Sequence, residues 1–160
     1  MTRTAAHRRA RPQIRPPEAV PPLHIAVPRT VRFEEVDAAR IMWHGRYASW
    51  LEDGREALGR HYGISYLDFL EHNIVVPLKL FQLDFHHPLR YSEQYIIHAF
   101  LHWNEAAVLD YTYRIENSRN ELTTTAATTQ LMLRRDGGLL LEQPEFYAAF
   151  RERWHKGMLS

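Results

Sequence analysis

A chain of 160 residues, 45% hydrophobic and 24% charged, is long enough for one domain with its own core. A formal net charge of +1 at pH 7 excludes the overall basic field of a dedicated nucleic-acid binder, and the absence of cysteine excludes disulfides, thiolate metal sites and a cysteine nucleophile. No apolar run reaches spanning length and no charged-then-apolar leader opens the chain, so the expectation is a cytoplasmic protein with no membrane span and no nucleic-acid partner.

Residues 1–23 mix Arg3, Arg8, Arg9, Arg11 and Arg15 with five prolines, a composition that cannot bury a core, and are expected to form a disordered basic arm ahead of a domain over 24–160. In "TVRFEEV" Val31 and Phe33 alternate with Arg32 and Glu34, the period of a half-buried first strand. From Gly45 to Tyr62 the residues Tyr47, Trp50, Leu51, Gly54, Ala57 and Leu58 recur on one face and predict the main helix, closed by Gly63. Ser65, with Asp68 three later, predicts a short second helix over "SYLDFLEH".

Four further strands follow: "IVVPLKLFQLDF", with a bulge expected at Leu80 and Phe81 where alternation breaks, then "YIIHAFLHW", "AVLDYTYRI" and "TTTAATTQLMLRR". The short polar turns between them imply antiparallel neighbours, with Ile97, Ala99, Leu101 and Trp103 on one apolar face and Leu109, Tyr111, Tyr113 and Ile115 on another. "PEFYAAFRERWHK", opening at Pro144, predicts a closing helix across an edge. The class is α+β, one long helix against a five-stranded antiparallel sheet. Such a sheet leaves an edge to cover, which favours self-association.

Several signatures are missing: a GxSxG elbow, a GxGxxG after a strand, a phosphate loop ending in Lys-Ser or Lys-Thr, and HExxH. His86 and His87 are adjacent and expected on opposite strand faces, and His98 and His102 lie four apart, so these histidines are read as lining or exposed residues and no metal is expected. Asp37 and the segment Trp43-His44-Gly45-Arg46-Tyr47 stand where a strand hands over to the helix. A carboxylate there could attack a thioester carbonyl or activate a water, and the unpaired amides around His44 and Gly45, reinforced by the helix dipole, could receive the negative charge that develops on oxygen. An Asp after a strand is also a common turn or cap residue, and the residues alone leave that reading open.

From His24 to about Arg153 the chain resembles hotdog-fold acyl-CoA thioesterases of the 4-hydroxybenzoyl-CoA thioesterase type, including the branch associated with the Tol-Pal system. The resemblance rests on Glu35, Val36, Asp37, Trp43, His44, Tyr47, Glu52 and Arg55 in order, on "HHPLRYSEQ" with Pro88, Tyr91 and Glu93, and on "AATTQLMLRRDGG" followed by Pro144. It implies hydrolysis of an acyl thioester without metal or organic cofactor, at a subunit interface of a homodimer or homotetramer. By the same resemblance Asp37 is the nucleophile or general base, an amide at or beside His44 the oxyanion donor, and Tyr47 a pocket wall. The His44 side chain either orients substrate or water or bonds the helix entry, while Glu52 is a rival carboxylate expected instead to pair with Arg55. The His and acid motifs of hotdog dehydratases are not matched.

One position departs from the family pattern: Arg40 stands where Gly usually lies three after the Asp. Three outcomes are open: Arg40 points outward, pairs with Asp37, or meets an acidic group of the substrate. Were Asp37 silenced in this way, the chain would bind an acyl thioester without cleaving it. Arg134, Arg135, Arg90 and Lys79 are candidates for the phosphates of coenzyme A; a substrate carried on an acyl carrier protein would need them less.

Overall fold

The computed structural model describes residues 20–159. The expected basic arm lies outside these residues except for its end, where Val20 and Leu23 are buried and the Pro21 carbonyl accepts the Trp154 indole N–H at 2.9 Å.

The first strand lies earlier than "TVRFEEV" suggests. Strand β1 spans Leu23–Thr30 and turns Leu23 and Val27 inward, whereas Phe33–Glu35 is one turn of 3-10 helix with Phe33 78% exposed. The cause is Glu35, only 2% exposed, whose carboxylate must find donors once buried. It finds the Arg32 N–H at 2.8 Å, three residues back, and this bond bends the chain out of extension. Pro28 is tolerated in β1 because β1 is an edge strand, whose outward N–H groups have no ladder to join.

Helix α1, Tyr47–Tyr62, buries Tyr47, Trp50, Leu51, Gly54 and Leu58 as the periodicity predicts, and ends at Gly63 with a left-handed φ of 76°. Ser65 and Asp68 form the expected capping box of α2, Tyr66–Glu71. The stretch expected as one strand from Ile74 is divided at Pro77, which has no N–H to give a ladder, into β2 (Ile74–Val75) and β3 (Leu78–Phe85). The register shift in β3 falls between Leu78 and Leu80, just ahead of the expected bulge.

Strands β4 (Gln94–His102), β5 (Val108–Asn117) and β6 (Leu122–Leu131) complete an antiparallel sheet of order β1-β4-β5-β6-β3, and β7 (Leu133–Arg134) pairs separately with β2. The register sets Ile97 opposite Ile115, Ala99 opposite Tyr113 and Leu101 opposite Tyr111, an apolar inner face on which α1 lies. Helix α3, Glu145–His155, starts after Pro144 and buries Tyr147, Phe150 and Trp154, with Trp154 edge-on to Trp103 at 5.2 Å. This is the five-stranded sheet wrapped on one long helix that the sequence predicts.

On the outer face of the sheet the histidines are engaged in pairs. His24 and His98 share a 3.0 Å hydrogen bond, and His102 bonds the Thr112 hydroxyl at 2.7 Å. Among the described residues no three potential ligands are gathered for a metal ion, and no helix is long and apolar enough to cross a membrane.

Gly54 lets α1 approach the sheet: a Cβ there would stand 3.1 Å from Ile97 Cγ2 and 3.3 Å from Ala99 Cβ. Gly54→Leu is therefore expected to destabilise the fold by about 1–3 kcal/mol through overpacking, read as a lower urea midpoint with an unchanged m-value.

Candidate active site

The segment joining β1 to α1 is shaped from Glu35 outward. Its carboxylate accepts the Arg32 N–H and the Trp50 indole N–H, both at 2.8 Å, and its carbonyl accepts the Trp43 N–H at 2.8 Å. One residue therefore ties together the start of the loop, its end and the buried face of α1. Burial pushes the carboxyl pKa up, but the Arg32 amide, the Trp50 indole and the Arg32 charge outweigh it and hold the group below its ordinary value.

Between these ties the chain makes a small hairpin. Val36 bridges Met42, the Asp37 N–H donates to the Ile41 carbonyl at 2.9 Å, and the Arg40 N–H returns to the Asp37 carbonyl at 2.9 Å. Asp37 uses one carboxylate oxygen to accept the Ala39 N–H at 2.8 Å, so the turn role and an exposed carboxylate coexist in one side chain. Arg40 closes the turn with φ 61°, the left-handed conformation that suits the Gly found there in the family pattern. Arg40 makes no ion pair with Asp37, so of the three outcomes open from the sequence the internal pair is not the one adopted.

The chain then enters a 3-10 turn, His44–Arg46, that runs straight into α1. The Arg46 N–H reaches back to the Trp43 carbonyl at 3.0 Å, and among the described residues the N–H groups of His44 and Gly45 have no partner, as first-turn geometry requires. The Trp43 ring lies over Gly45, where a Cβ would overlap it, so a larger residue here would require the exposed ring to shift.

Asp37 and His44 line one cleft of about 390 Å³, together with Ile41, Met42, Tyr47, Phe85 and Pro88. Tyr47 meets Phe85 edge-on at 4.9 Å, and burial raises its phenol above the ordinary value, so it stays protonated at neutral pH. His86 and His87 also line the cleft, contrary to the expectation from strand alternation that they part to opposite faces. The reason is a bulge: both N–H groups donate to the single carbonyl of Thr123, at 2.8 and 3.1 Å, so the two-residue period stops there. The His86 ring is held by the Thr125 hydroxyl at 3.0 Å. An adjacent His pair before Pro88 at a strand end was the available signal for this wall.

Other candidates lie elsewhere. Glu52 is exposed and pairs with Arg55 at 3.0 Å, the ion pair expected of it. Arg134 and Arg135 line a different hollow with His72, Asn73 and Asp136. Strand β6 begins beside the cleft and reaches the neighbourhood of these arginines ten residues later, a span of about 30 Å at strand rise.

The sheet rolled around one long helix is the hotdog fold, and the protein is a thioester hydrolase of that fold. The chain belongs to the thioesterase-like superfamily, whose family model matches residues 31–152. It is 27% identical over 125 residues, 78% of this chain and 88% of the relative, to YneP of Bacillus subtilis (strain 168), a protein whose name assigns it provisionally as an acyl-CoA thioesterase. Among solved structures it is similar to a DHNA-CoA thioesterase from Staphylococcus aureus, at TM-score 0.75 and 22% identity, covering 84% of this chain and 90% of that one. It is similar also to a 1,4-dihydroxy-2-naphthoyl-CoA thioesterase from Synechocystis, at TM-score 0.71 and 14% identity, covering 79% and 94%.

Glu35→Gln leaves only one acceptor oxygen for the Arg32 and Trp50 donors and is expected to cost about 1.5–3 kcal/mol at pH 7. Because the folded carboxyl sits below its unfolded value, its contribution is full above about pH 4.3 and is lost as pH falls through the folded value. Chemical denaturation of wild type and variant from pH 7 to pH 3 should show the gap closing only in acid.

Proposed function

We propose that the protein hydrolyses an acyl thioester, carried on coenzyme A or on an acyl carrier protein, to the free acid and thiol at the Asp37 cleft. The observation that carries this reading is that an exposed carboxylate and a helix entry with unpaired amides meet at one cleft with an apolar wall. Asp37 either adds to the acyl carbon or takes a proton from a water that does so. The charge on the acyl oxygen is received by the amides of His44 and Gly45, aided by the dipole of α1. The carbon–sulfur bond then breaks and the sulfur leaves as thiolate to be protonated; where Asp37 itself added, water then cleaves the acyl–Asp37 anhydride, releasing the free acid and restoring the carboxylate. Trp43 and Tyr47 flank the acyl group, and the His44 ring orients substrate or water. Loss of one oxyanion donor would cost about 3 kcal/mol of transition-state stabilisation. The alternative, an acyl-thioester binder silenced by an Arg40–Asp37 pair, lacks that pair.

The working unit we propose is at least a homodimer. Edge strand β3 exposes Leu78, Leu80, Phe81 and Phe85 at 41–53% of their surface beside an unused ladder edge, a liability that a second copy would remove. Pairing two β3 strands antiparallel about a two-fold axis sets the Leu78 end of one against the Phe85 end of the other. Arg134 and Arg135 stand at the Leu78 end, where β7 pairs with β2 and the Arg135 N–H donates to the Asn73 carbonyl. In the dimer, the partner's Arg134 and the partner's Arg135 thus approach this chain's cleft, where the phosphates of coenzyme A would emerge. The aromatic acyl groups named for the two solved relatives would pack on Phe85 and Tyr47 as well as an aliphatic chain would.

Asp37→Asn is expected to lower thiol release from a panel of aliphatic and aromatic acyl-CoAs by at least about a hundredfold, with the melting temperature unchanged. Activity within about threefold of wild type would reject Asp37. Phe81→Lys, placed on the strand edge, is expected to yield monomers by light scattering and to abolish turnover. A monomer of full activity would reject the shared site.

A further inference from the structure

On the outer face of the sheet, edge strand β1 is tied to β4 by two imidazoles. His24 Nε2 and His98 Nδ1 are 3.0 Å apart, with the ring planes within 10° of parallel and the ring centroids 5.3 Å apart. That centroid separation is the N···N distance plus the two ring radii, so the rings meet edge to edge in one plane and the hydrogen bond is straight. Phe100, paired with His24 across the ladder, stacks its ring on His24 at 4.5 Å.

A bond between two imidazoles needs one nitrogen that carries a hydrogen and one that does not. It therefore survives with both rings neutral or with one of them charged. It fails when both are charged, because two N–H groups and two positive charges then face each other. Glu116 of β5 stands 3.8 Å from the far nitrogen of His98, and its other oxygen is held by Arg114 at 2.8 Å. Among the described residues no carboxylate pairs with His24, and burial together with the neighbouring His98 holds its pKa below the ordinary value. The other titratable groups nearby are engaged: His102 of β4 with the Thr112 hydroxyl, and Tyr62 of α1 with the His24 carbonyl at 3.3 Å, the His61 ring lying edge-on to Tyr62.

We propose that His24 and His98 form a one-proton latch that fastens β1 to β4 at neutral pH and releases the N-terminal half of β1 when a second proton arrives. Local bonds limit what moves. Val31, just past β1, gives its N–H to the Glu93 carbonyl at 3.0 Å and accepts the Ser92 N–H at 2.9 Å, so the Asp37 hairpin beyond it stays in place. At the other end lie the buried Val20 and Leu23 and the Pro21 carbonyl that accepts the Trp154 indole N–H, so release of β1 also frees the segment seated against α3. Because the folded value of His24 lies below its unfolded value, the folded state takes up fewer protons in acid. The stability it contributes is full above about pH 6.5 and is lost as pH falls toward and through the folded value. The latch stands apart from the hydrolase reading and does not depend on it.

The test uses the full chain with His24→Gln, whose amide reaches the place of the imidazole Nε2 without a titrating proton, and His98→Asn, which does the same at Nδ1. Hydrogen exchange is read at about pH 7.5 and about pH 5. In wild type the protection of the β1 amides and the Trp154 indole N–H, relative to the β5 amides, is expected to fall about tenfold between the two. The amides of Arg40 and Met42, in the Asp37 hairpin, keep theirs. In His24→Gln the fall is expected to stay within about twofold, and its melting temperature should gain on that of wild type by about 2–4 °C between the higher pH and the lower. A side chain that merely packs would shift both pH values alike.

The ring signal of His24, followed by NMR, should titrate about half a pH unit higher in His98→Asn than in wild type, because the Asn carbonyl can accept from a charged His24. Equal loss of β1 protection in wild type and His24→Gln, or no loss in wild type, overturns the latch. So does a His24 titration that His98→Asn leaves unmoved.

Discussion

The buried carboxylate of Glu35 is the constraint from which the rest of the site follows. An ionised carboxyl group excluded from water must be surrounded by donors, and here they come from three places: the backbone before it, the indole of α1, and the basic side chain beside it. Meeting that requirement stops β1, turns the chain through a 3-10 step and fixes α1 against the sheet through Trp50, which also stacks on Tyr95 at 4.0 Å. The hairpin that carries Asp37 is suspended between the two bonds made by Glu35 to Arg32 and Trp43, so its position is inherited from the core.

This division separates a buried, bonded carboxylate from an exposed one. Glu35 is buried and saturated with hydrogen bonds, whereas Asp37, two residues on, is exposed and spends only one bond on its own turn. Two carboxylates two residues apart thus stand in different surroundings, one facing the core and the other the cleft. The helix entry shows the same contrast: the Arg46 N–H is paired backward, and the two amides before it have no partner among the described residues.

The sheet leaves one apolar edge uncovered beside the cleft. Strand β3 has an unpaired edge bordered by exposed leucines and phenylalanines, and Phe85 at its end belongs to the cleft. The apolar edge strand and the Asp37 cleft lie at the same place, so in the proposed dimer covering the first would enclose the second. Arg134 and Arg135, at the far end of β3, would come near the cleft only in the proposed two-fold pairing.

Periodicity was enough to place α1, its Gly63 terminus, the Ser65 cap, the inward faces of β4 and β5 and the helix after Pro144, because each depends on neighbours in sequence. The ordered residues from Glu35 to Arg55 were likewise enough to point to the fold. What local pattern could not decide was where extension ends. Phe33 and Val31 alternate like strand residues, yet the carboxylate of Glu35 is drawn inward by Trp50, fifteen residues away, and that pull was invisible until the two met. The convergence of His86 and His87 on one cleft wall was hidden for the same reason, since it depends on a carbonyl of β6 receiving both amides, and a contact between distant strands is set by packing rather than by the spacing of letters.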